Sequence, residues 1–416
     1  MENLYDVTVV GGGLCGFACA VRAAWNGKNV LLIERRPALG WESTWAYQLN
    51  FDARAGLKPA SARKTVVQRL MDDLRRVGGL NQTRADAPIL EMTLSRMAEE
   101  AGVSVLLYSY PVRIIFEGDV AFGVVIGNKS GEQIVKAKVI VDATEEALLW
   151  RQTGVKTKAR STVPMRQVVL FNHTEGEIKL PMDPGDGVAL YPSVWKGEVC
   201  VEFYLEEGNF LDARRKIPEV IKFVREEVPQ LRDALVTHTG NEPFPVASMF
   251  DFEDGGIEHP KIKNFFGAGI WKTPANDPAG RLVLGEKAGE IASECEGAKE
   301  FPAEMMTGSL IGEPVVVSDV LVVGGGTGGS IAAIASGRQG AKTALIEASP
   351  VLGGIGTGGA IHSYYHGVSG GVQDEVDERV KELTPLFAGR WQVAGFHPEV
   401  KKLVLQQMAE EAGVDI

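Results

Sequence analysis

The order of apolar and polar positions repeats once along the chain. Residues Asp6 to Glu34 begin with a short apolar run, pass through glycines spaced G-x-G-x-x-G, continue as an alanine-rich segment and end in a second apolar run closed by glutamate. Residues Asp319 to Glu347 repeat this order with the same spacing. Short apolar runs bounded by glycine are typical of buried strands, and the alanine-rich segment is typical of a helix. The pattern therefore predicts two strand–helix–strand units.

The segment after the first copy alternates between helical and extended patterns. Apolar residues at helical spacing predict helices over Lys64 to Val77 and Ile89 to Ala101, and Gly102 stands at the expected C-cap of the second helix. Apolar runs then predict strands at Val103 to Tyr108, Pro111 to Phe116, Ala121 to Ile126 and Lys138 to Val141. Strand–helix–strand units followed by a small antiparallel excursion indicate an α/β domain.

The middle of the chain combines strands with one long helical stretch. We predict strands at Val163 to Asn172, Val188 to Tyr191 and Glu198 to Leu205. Asn209 to Leu235 is predicted as a helix interrupted at Pro218 and Pro229, because proline removes a backbone donor. Glu296 to Pro314, with its proline, glycine, methionine and serine, is the best candidate for a linker before the second copy.

The glycines of the first copy predict a site for the diphosphate of a dinucleotide. Gly11 permits the tight turn out of the strand, Gly13 lets the backbone approach the diphosphate, and Gly16 lets the helix pack against the sheet. The helix N-terminus presents free N–H groups and a partial positive charge to the anion. Glu34, at the end of the second strand, is placed to accept hydrogen bonds from an adenosine ribose. An acid there disfavours a 2′-phosphate, so NADP is the least expected ligand.

Composition and charge narrow the choice of partners. A length of 416 residues suggests roughly two to four domains, and 45% hydrophobic with 23% charged residues is typical of a soluble globular protein. The net charge of −11 and the pI near 5.3 argue against nucleic acid or an anionic membrane as the main partner. We recognise neither a signal segment nor a membrane-spanning run. The four cysteines form no C-x-x-C pair, so we predict neither a metal nor an iron–sulfur site and expect a cytoplasmic protein.

Several motifs together resemble a known family. They are the opening fingerprint, the turn Arg35 to Gly40, the helix end MAEEAGV (Met97 to Val103), the turn NKSGE (Asn128 to Glu132) and the segment VIVDAT (Val139 to Thr144). This set resembles the FAD-dependent oxidoreductases of the two-dinucleotide-binding-domain superfamily. It is most similar to the FAD-oxidored family, which also includes flavin subunits resembling heterodisulfide reductase.

The resemblance implies an α/β fold and a division of the chain into five parts. The core would be a Rossmann-like, glutathione-reductase-like FAD-binding domain that carries an inserted mixed α+β substrate domain and is followed by a second, partial Rossmann-like FAD-binding unit. The parts are residues 1–153 and 261–296 for the two segments of the first FAD-binding domain, 154–260 for the insert, 297–314 for the linker and 315–416 for the second unit. The implied cofactor is noncovalently bound FAD.

The resemblance also assigns three groups of residues to the cofactor. The first group surrounds the diphosphate and the nucleotide half and consists of Gly11, Gly12, Gly13, Leu14, Cys15, Gly16, Glu34, Arg35, Arg36 and Gly40. The second lies later in the first copy and consists of Val112 near the adenine, Ala143, Thr144, Gly269, Ile270 and Gly280. The third lies in the second copy and consists of Gly324, Gly326, Gly329 and Glu347. In the second group a short Ala-Thr-Gly motif of the superfamily is matched except for its glycine, which is replaced by Glu145.

The second copy has two interpretations. An NAD module would also begin with G-x-G-x-x-G, but it gives no reason why Met408 to Val414 repeats the MAEEAGV of Met97 to Val103. In flavin disulfide reductases the NAD domain is normally inserted in the FAD domain rather than placed after it. Tandem duplication is therefore favoured. The second copy stops at Ile416, where the first begins its third strand, so we expect a longer parent protein.

Candidates for chemistry beyond the cofactor site are few. The glycine-rich stretch Gly353 to Gly371 holds four side chains that can exchange a proton, which are His362, Tyr364, Tyr365 and His366. The resemblance to the family implies that this stretch lies near the reactive ring of the flavin. A flexible glycine loop with packed aromatics explains this stretch equally well. Trp45 is a further candidate for substrate contact, although loop packing is the favoured interpretation of its aromatic-rich region.

The cysteines and the remaining histidines are interpreted as structural. Cys15 and Cys19 are four residues apart on the first predicted helix, a spacing that gives poor disulfide geometry, so buried small residues are favoured over a redox pair. His173, His238 and His259 are interpreted as ordinary polar or surface histidines.

These features together predict an FAD-dependent oxidoreductase that transfers hydride or electrons between an unidentified small molecule and the flavin. One alternative is a non-catalytic or electron-carrying flavin subunit whose redox partner is another protein. Another is an NAD-dependent dehydrogenase, which would be colourless when purified. Flavin reduction by a small alcohol, amine or hydroxy acid would favour the enzyme, whereas reduction only by a protein or nicotinamide donor would favour the carrier.

Overall fold

The structure is a computed structural model, and it describes residues 4–51, 64–252, 256–272, 277–302, 316–364 and 369–416. The chain divides into two compact units, each made of two stretches of sequence. The first comprises Met1–Pro164 and Phe244–Ser309, and the second comprises Met165–Pro243 and Leu310–Ile416. Each unit is described by itself below.

The elements of the described residues alternate between strands and helices in the first part of the chain. The strands are β1 (Tyr5–Val10), β2 (Val30–Ile33), β3 (Leu80–Asn81), β4 (Arg84–Ala85), β5 (Ser104–Leu106), β6 (Tyr110–Glu117), β7 (Val120–Asn128), β8 (Gly131–Asp142), β9 (Thr157–Ala159), β10 (Met165–Asn172), β11 (Met182–Gly185), β12 (Val188–Pro192), β13 (Val199–Leu205), β14 (Leu235–Thr239), β15 (Phe244–Pro245), β16 (Phe250–Phe252), β17 (Phe265–Gly267), β18 (Val320–Val323) and β19 (Thr343–Ile346). The helices are α1 (Leu14–Trp25), α2 (Trp41–Thr44), α3 (Val66–Arg76), α4 (Ala87–Glu100), α5 (Leu148–Arg151), α6 (Phe210–Arg215), α7 (Ile217–Glu227), α8 (Pro278–Glu294), α9 (Thr327–Arg338), α10 (Val372–Ala388) and α11 (Pro398–Glu411).

The first unit is built on a sheet whose order is β5-β2-β1-β8-β7-β6, with β17 beside β8. Strands β5, β2, β1, β8 and β17 run parallel, and Val7 of β1 lies between Val30 of β2 and Val139 of β8. Parallel strands are covered on both faces, which explains why β2 is a continuous apolar run and why the second half of β1 is buried. The predicted α/β fold with a Rossmann-like parallel core is confirmed.

Strand β8 extends further than the sequence pattern predicted. Its C-terminal half belongs to the parallel sheet, whereas its N-terminal half pairs antiparallel with β7, with Gly123 opposite Lys136 and Asn128 opposite Gly131. The N-terminal half is polar and partly exposed, so its composition does not distinguish it from a loop. The observed meander of β6, β7 and β8 is the small antiparallel excursion predicted from the sequence.

Helices α1 and α8 cross at very short distance in the first unit. A Cβ atom added to Gly285 would lie 2.0 Å from the carbonyl oxygen of Cys15, and one added to Gly289 would lie 2.4 Å from that of Cys19. The two cysteines are buried and free. Small residues let helix backbones approach closely, so the cysteines serve packing, as favoured from the sequence.

The second unit contains an antiparallel sheet in the order β11-β12-β13-β10-β14 and a parallel pair, β18 and β19. Helices α7, α10 and α11 share one apolar core with both. The predicted interruption at Pro218 is confirmed, because α6 ends at Arg215 and α7 begins at Ile217. Pro218 lies in the first turn of α7, where proline is tolerated. Strand β14 was not predicted, because its sequence LVTHT is short and half polar.

A buried polar cluster joins the sheet of the second unit to α11. The Glu399 carboxylate accepts from the Thr239 hydroxyl at 2.6 Å and from the Lys402 ammonium at 2.7 Å. Burial alone would raise the pKa of Glu399, but Lys402 and the Thr239 hydrogen bond outweigh it and lower this pKa. The cluster therefore satisfies its buried charges internally.

In the described part of the chain, every helix is too short or too polar to cross a lipid bilayer.

Candidate functional site

The turn between β1 and α1 has the geometry that its glycines predict. Gly11 adopts a φ of +102°, and a Cβ atom there would lie 2.5 Å from the carbonyl oxygen of Ala143. A Cβ atom on Gly16 would lie 1.7 Å from the carbonyl oxygen of Gly11. Side chains are therefore excluded at both positions, and the backbone of Ala143 and Thr144 lies directly against the turn. The Ala143 amide also donates to the Val10 carbonyl at 2.7 Å, which fixes this contact.

Glu34 lies at the carboxyl end of β2, beside the turn. One oxygen of its buried carboxylate accepts from the Gly12 amide, and the other accepts from the Arg36 amide at 2.9 Å. Burial raises the pKa of Glu34, and the neighbouring Arg36 charge opposes that effect. The carboxyl ends of parallel strands are where this class of fold binds ligands, and Glu34 lies at that edge, where the sequence predicts the ribose contact.

Arg36 connects Glu34 with Glu145. Its guanidinium donates to the Glu145 carboxylate at 2.6 Å and to the Glu34 carboxylate at 3.3 Å, and it stacks over the Trp41 ring at 4.1 Å. Burial alone would raise the pKa of Glu145, but Arg36 and Arg35 outweigh it and lower the pKa to about 2. Glu145, which replaces the glycine of the superfamily motif, is thus the ionised partner of Arg36.

Gly40 and the short helix α2 bring an acid that sequence analysis missed. Gly40 has a φ of +63°, and its amide donates to the Gly12 carbonyl at 2.8 Å. The following Glu42 is buried, and its two carboxylate oxygens accept from the Leu14 amide, the first of α1, at 3.1 and 3.0 Å. Arg281 of α8 donates to the same carboxylate at 3.2 Å. In the sequence, Glu42 and Arg281 could be noticed only as charged residues among apolar neighbours.

The remaining residues assigned by resemblance lie in several places. The closing segment runs from β17 to α8, and Trp271 on it donates from its indole to the Thr144 carbonyl at 2.8 Å, next to Gly269. Ile270 lies between them in the chain and is partly exposed. Gly280 donates its amide to Asp277, the N-cap of α8, at 2.9 Å. Val112 lies on β6, where its carbonyl accepts from the Gln152 amide group at 2.9 Å.

The second fingerprint reproduces the first in its own unit. Gly324 has a φ of +97°, and a Cβ atom on Gly329 would lie 1.8 Å from the Gly324 carbonyl oxygen. The Gly325 amide donates to the Glu347 carboxylate at 2.5 Å, as the Gly12 amide does to Glu34. A Cβ atom added to Gly326 would have no heavy atom of the described residues within 4 Å.

Two of the proton-transfer candidates can be located. His362 is exposed, and its Nδ1 lies 2.8 Å from the Ala394 carbonyl oxygen. The Tyr364 hydroxyl accepts from the Lys401 ammonium at 2.5 Å and donates to Asp377 at 3.1 Å. Burial, the Asp377 charge and its hydrogen bond raise the pKa of Tyr364 to about 12, so this phenol is a weak acid. Tyr365 and His366 lie outside the described residues.

The other two candidates of the first unit, Trp45 and His259, are held by packing and hydrogen bonds within the fold. Trp45 packs against the buried cluster of Trp41, Ala46 and Phe244, as its favoured interpretation predicted. His259 accepts from the Lys261 and Ile262 amides at Nδ1, and its Nε2 lies 2.8 Å from the Thr153 hydroxyl. Its ring is therefore held by three hydrogen-bonding groups.

The two remaining histidines belong to the second unit. His173 is exposed and its ring lies 4.3 Å from the Trp391 ring, measured between centroids. His238 is exposed on β14, opposite Leu170 of β10. Both positions suit the ordinary polar or surface role assigned from the sequence.

Comparison with protein families matches residues 6–169 and 319–416 to the family described as FAD dependent oxidoreductase. The matched residues are more than half of the chain. The chain belongs to this family. As a member of this family it has FAD as its cofactor. Each matched stretch contains one fingerprint, the first with Glu34 and the second with Glu347.

Curated relatives cover part of the chain. Digeranylgeranylglycerophospholipid reductase 2 of Methanothermobacter thermautotrophicus is 30% identical over 170 residues, which make up 38% of this chain and 43% of that protein. The digeranylgeranylglycerophospholipid reductase of Methanoculleus marisnigri is 28% identical over 182 residues, or 41% of this chain and 45% of that protein. The chain thus spans less than half the length of these relatives.

Solved structures share the fold. A geranylgeranyl bacteriochlorophyll reductase-like protein from Thermoplasma acidophilum superposes with a TM-score of 0.52 at 17% identity, covering 70% of this chain and 78% of that one. A triple mutant of the flavin-dependent brominase Bmp2 gives a TM-score of 0.52 at 15% identity, covering 70% of this chain and 80% of that one. At these identities the likeness concerns the fold.

Proposed function

We propose that the first unit binds FAD noncovalently at the turn Gly11–Gly16 and transfers hydride or electrons between this flavin and a small-molecule substrate. The observation that carries the proposal is the placement of the Glu34 carboxylate beside the Gly12 amide, at the end of β2 and next to the start of α1. This combination presents a ribose acceptor and a diphosphate-binding helix N-terminus at one edge of the sheet.

The residues present fit the cofactor. Gly11 and Gly16 are positions that a Cβ atom would fill, which is the close approach that a dinucleotide turn requires. Glu34 would accept from the ribose hydroxyls, and the amides at the start of α1 would donate to the diphosphate. The backbone of Thr144, held by Trp271, would line the cofactor beside the turn. When bound, the flavin supplies the redox chemistry, while the protein binds, orients and excludes water.

We further propose that the second fingerprint is a partial tandem copy of the first. Its support is the repetition of individual backbone bonds: Gly353 donates to the Gly325 carbonyl at 2.8 Å, as Gly40 does to Gly12. An NAD module accounts for the glycines but gives no reason for this second contact. The corresponding functional parts are the first FAD-binding domain at 1–153 and 261–296, the substrate insert at 154–260, the linker at 297–314 and the second copy at 315–416.

The experiment is anaerobic reduction of the flavin in the purified protein. The panel contains small alcohols, amines and hydroxy acids, and the dithionite-reduced protein is also offered a geranylgeranyl lipid, because the curated relatives are named as reductases of such lipids. A spectral change with a panel member supports the enzyme. Reduction only by a nicotinamide or protein donor, with no panel member reacting in either direction, supports the electron-carrying subunit instead.

A further inference from the structure

The start of α1 in the first unit is already bonded to an anion of the protein itself. Both oxygens of the Glu42 carboxylate face the Leu14 amide, at 3.1 and 3.0 Å. They also lie 2.8 and 3.0 Å from the place where a Cβ atom of Gly13 would be. The carboxylate therefore fills the space that the middle glycine of the fingerprint leaves open for a diphosphate.

Arg281, which donates to Glu42, has further donors that are not used in the described part of the chain. Its side chain is fully buried, its Nη1 donates to Glu42, and its Nε and Nη2 have no hydrogen-bond partner among the described residues. The central carbon of the guanidinium lies over the Phe244 ring, 4.5 Å from its centroid. A guanidinium can donate five hydrogen bonds and pairs best with carboxylate or phosphate in a bidentate manner. Arg281 therefore has unused capacity for an anion at this position.

The second fingerprint shows the same turn without the acid. Ile355 takes the place of Glu42 in the repeated sequence, its side chain is exposed, and a Cβ atom on Gly326 would meet open space. Among the described residues, the turn thus forms with Glu347 but without a counterpart of the Glu42 carboxylate. Glu42 is consequently an addition to the first fingerprint rather than a requirement of its fold.

We propose that the Glu42 carboxylate is an internal occupant of the diphosphate position, which FAD displaces, and that Arg281 then pairs with the diphosphate. The proposal rests on the proposed function, because it assumes that FAD binds at this turn. Two anions cannot share one helix N-terminus and one arginine without a large repulsion in a buried site. Glu42 stabilises the FAD-free protein by pairing Arg281, and it makes the cofactor bind less tightly than the bare fingerprint would.

The test measures the FAD dissociation constant of the flavin-stripped protein by quenching of flavin fluorescence. Glu42→Gln keeps the shape and an acceptor oxygen but removes the charge, and we expect FAD to bind at least about tenfold more tightly, which corresponds to roughly 1.4 kcal/mol. The apo variant should also melt at a lower temperature, because Arg281 loses its counter-charge, and FAD should raise its melting temperature more than it does for the wild type. Glu99→Gln, an exposed change of the same charge on α4, is the matched control and should bind as the wild type does.

Glu42→Asp keeps the proposal testable if Glu42→Gln does not fold. The shorter carboxylate retains its charge for Arg281 but withdraws from the Leu14 amide, so FAD should again bind more tightly than to the wild type. Equal or weaker binding by the folded variants, with a wild type that binds FAD, would overturn the proposal and leave the proposed function intact. A wild type that binds no FAD would overturn both.

Discussion

Replacing Gly16 by alanine is the sharpest perturbation of the first fingerprint. The new Cβ atom would lie 1.7 Å from the Gly11 carbonyl oxygen, more than an ångström inside the 3.0 Å that real Cβ atoms keep. The obstacle is backbone rather than a flexible side chain, so α1 and the β1 turn must move apart. That movement displaces the start of α1 relative to Glu34, and our proposal assigns both to the cofactor.

The magnitude follows from the cost of overpacking. Adding a methyl group to a closely packed site destabilises the folded state by about 1–3 kcal/mol and sometimes more. Alanine is favoured over glycine in a helix by roughly 1 kcal/mol, which offsets only part of this destabilisation. In a unit of this size each kcal/mol lowers the melting temperature by about 2–4 °C. We therefore expect Gly16→Ala to melt several degrees below the wild type by circular dichroism and to lose most of its flavin on gel filtration.

Gly328→Ala provides the control for this substitution. It lies near the start of α9 in the second fingerprint, and a Cβ atom there meets nothing within 4 Å. It should melt at or slightly above the wild-type temperature because alanine favours the helix. A Gly16→Ala protein with the melting temperature and the flavin content of the wild type would refute the steric reasoning.

Three further predictions concern single groups. Glu399→Gln should destabilise the second unit by about 3–5 kcal/mol in urea unfolding, because it leaves the buried Lys402 ammonium without its counter-charge. The pKa of Glu399 is lowered in the folded state, so its contribution to stability is complete above about pH 4.5 and is lost as the pH falls. The free energy of unfolding of the variant should therefore decrease less at acidic pH than that of the wild type. Glu34→Gln should weaken FAD binding roughly tenfold to a hundredfold, by loss of hydrogen bonds to a charged acceptor, as measured by fluorescence titration. Burial raises the pKa of Cys15 to about 12 and raises that of Cys19 as well, so iodoacetamide at pH 8 should spare both in the folded protein and modify partly exposed Cys295 first, as mass spectrometry will show.

Local chemistry explains what could be predicted from the sequence. The turn at Gly11 and the position of Glu34 depend on glycine spacing and on apolar runs within one short segment, and both are found where the pattern places them. Helices α3 and α4 begin directly after Thr65 and Asp86, whose side chains cap the first turn. Their bounds agree with the predicted ones within two residues.

Contacts between distant segments explain what could not be predicted. The Arg36–Glu145 pair joins residues 109 apart, and the Arg281–Glu42 pair joins residues 239 apart. No local pattern marks either pair, because each is created by the packing of the sheet and its helices. The pairing of the polar half of β8 with β7 is likewise decided by tertiary structure rather than by propensity.

The most direct test of the central claim is the flavin content of the purified protein after reconstitution with FAD. The protein is gel-filtered, the flavin is released by heat, and its absorption is quantified per chain for the wild type, Gly16→Ala and Gly329→Ala. We predict one FAD per chain in the wild type and in Gly329→Ala, and almost none in Gly16→Ala. A wild type without flavin, or flavin that is lost with Gly329→Ala and kept with Gly16→Ala, would contradict it.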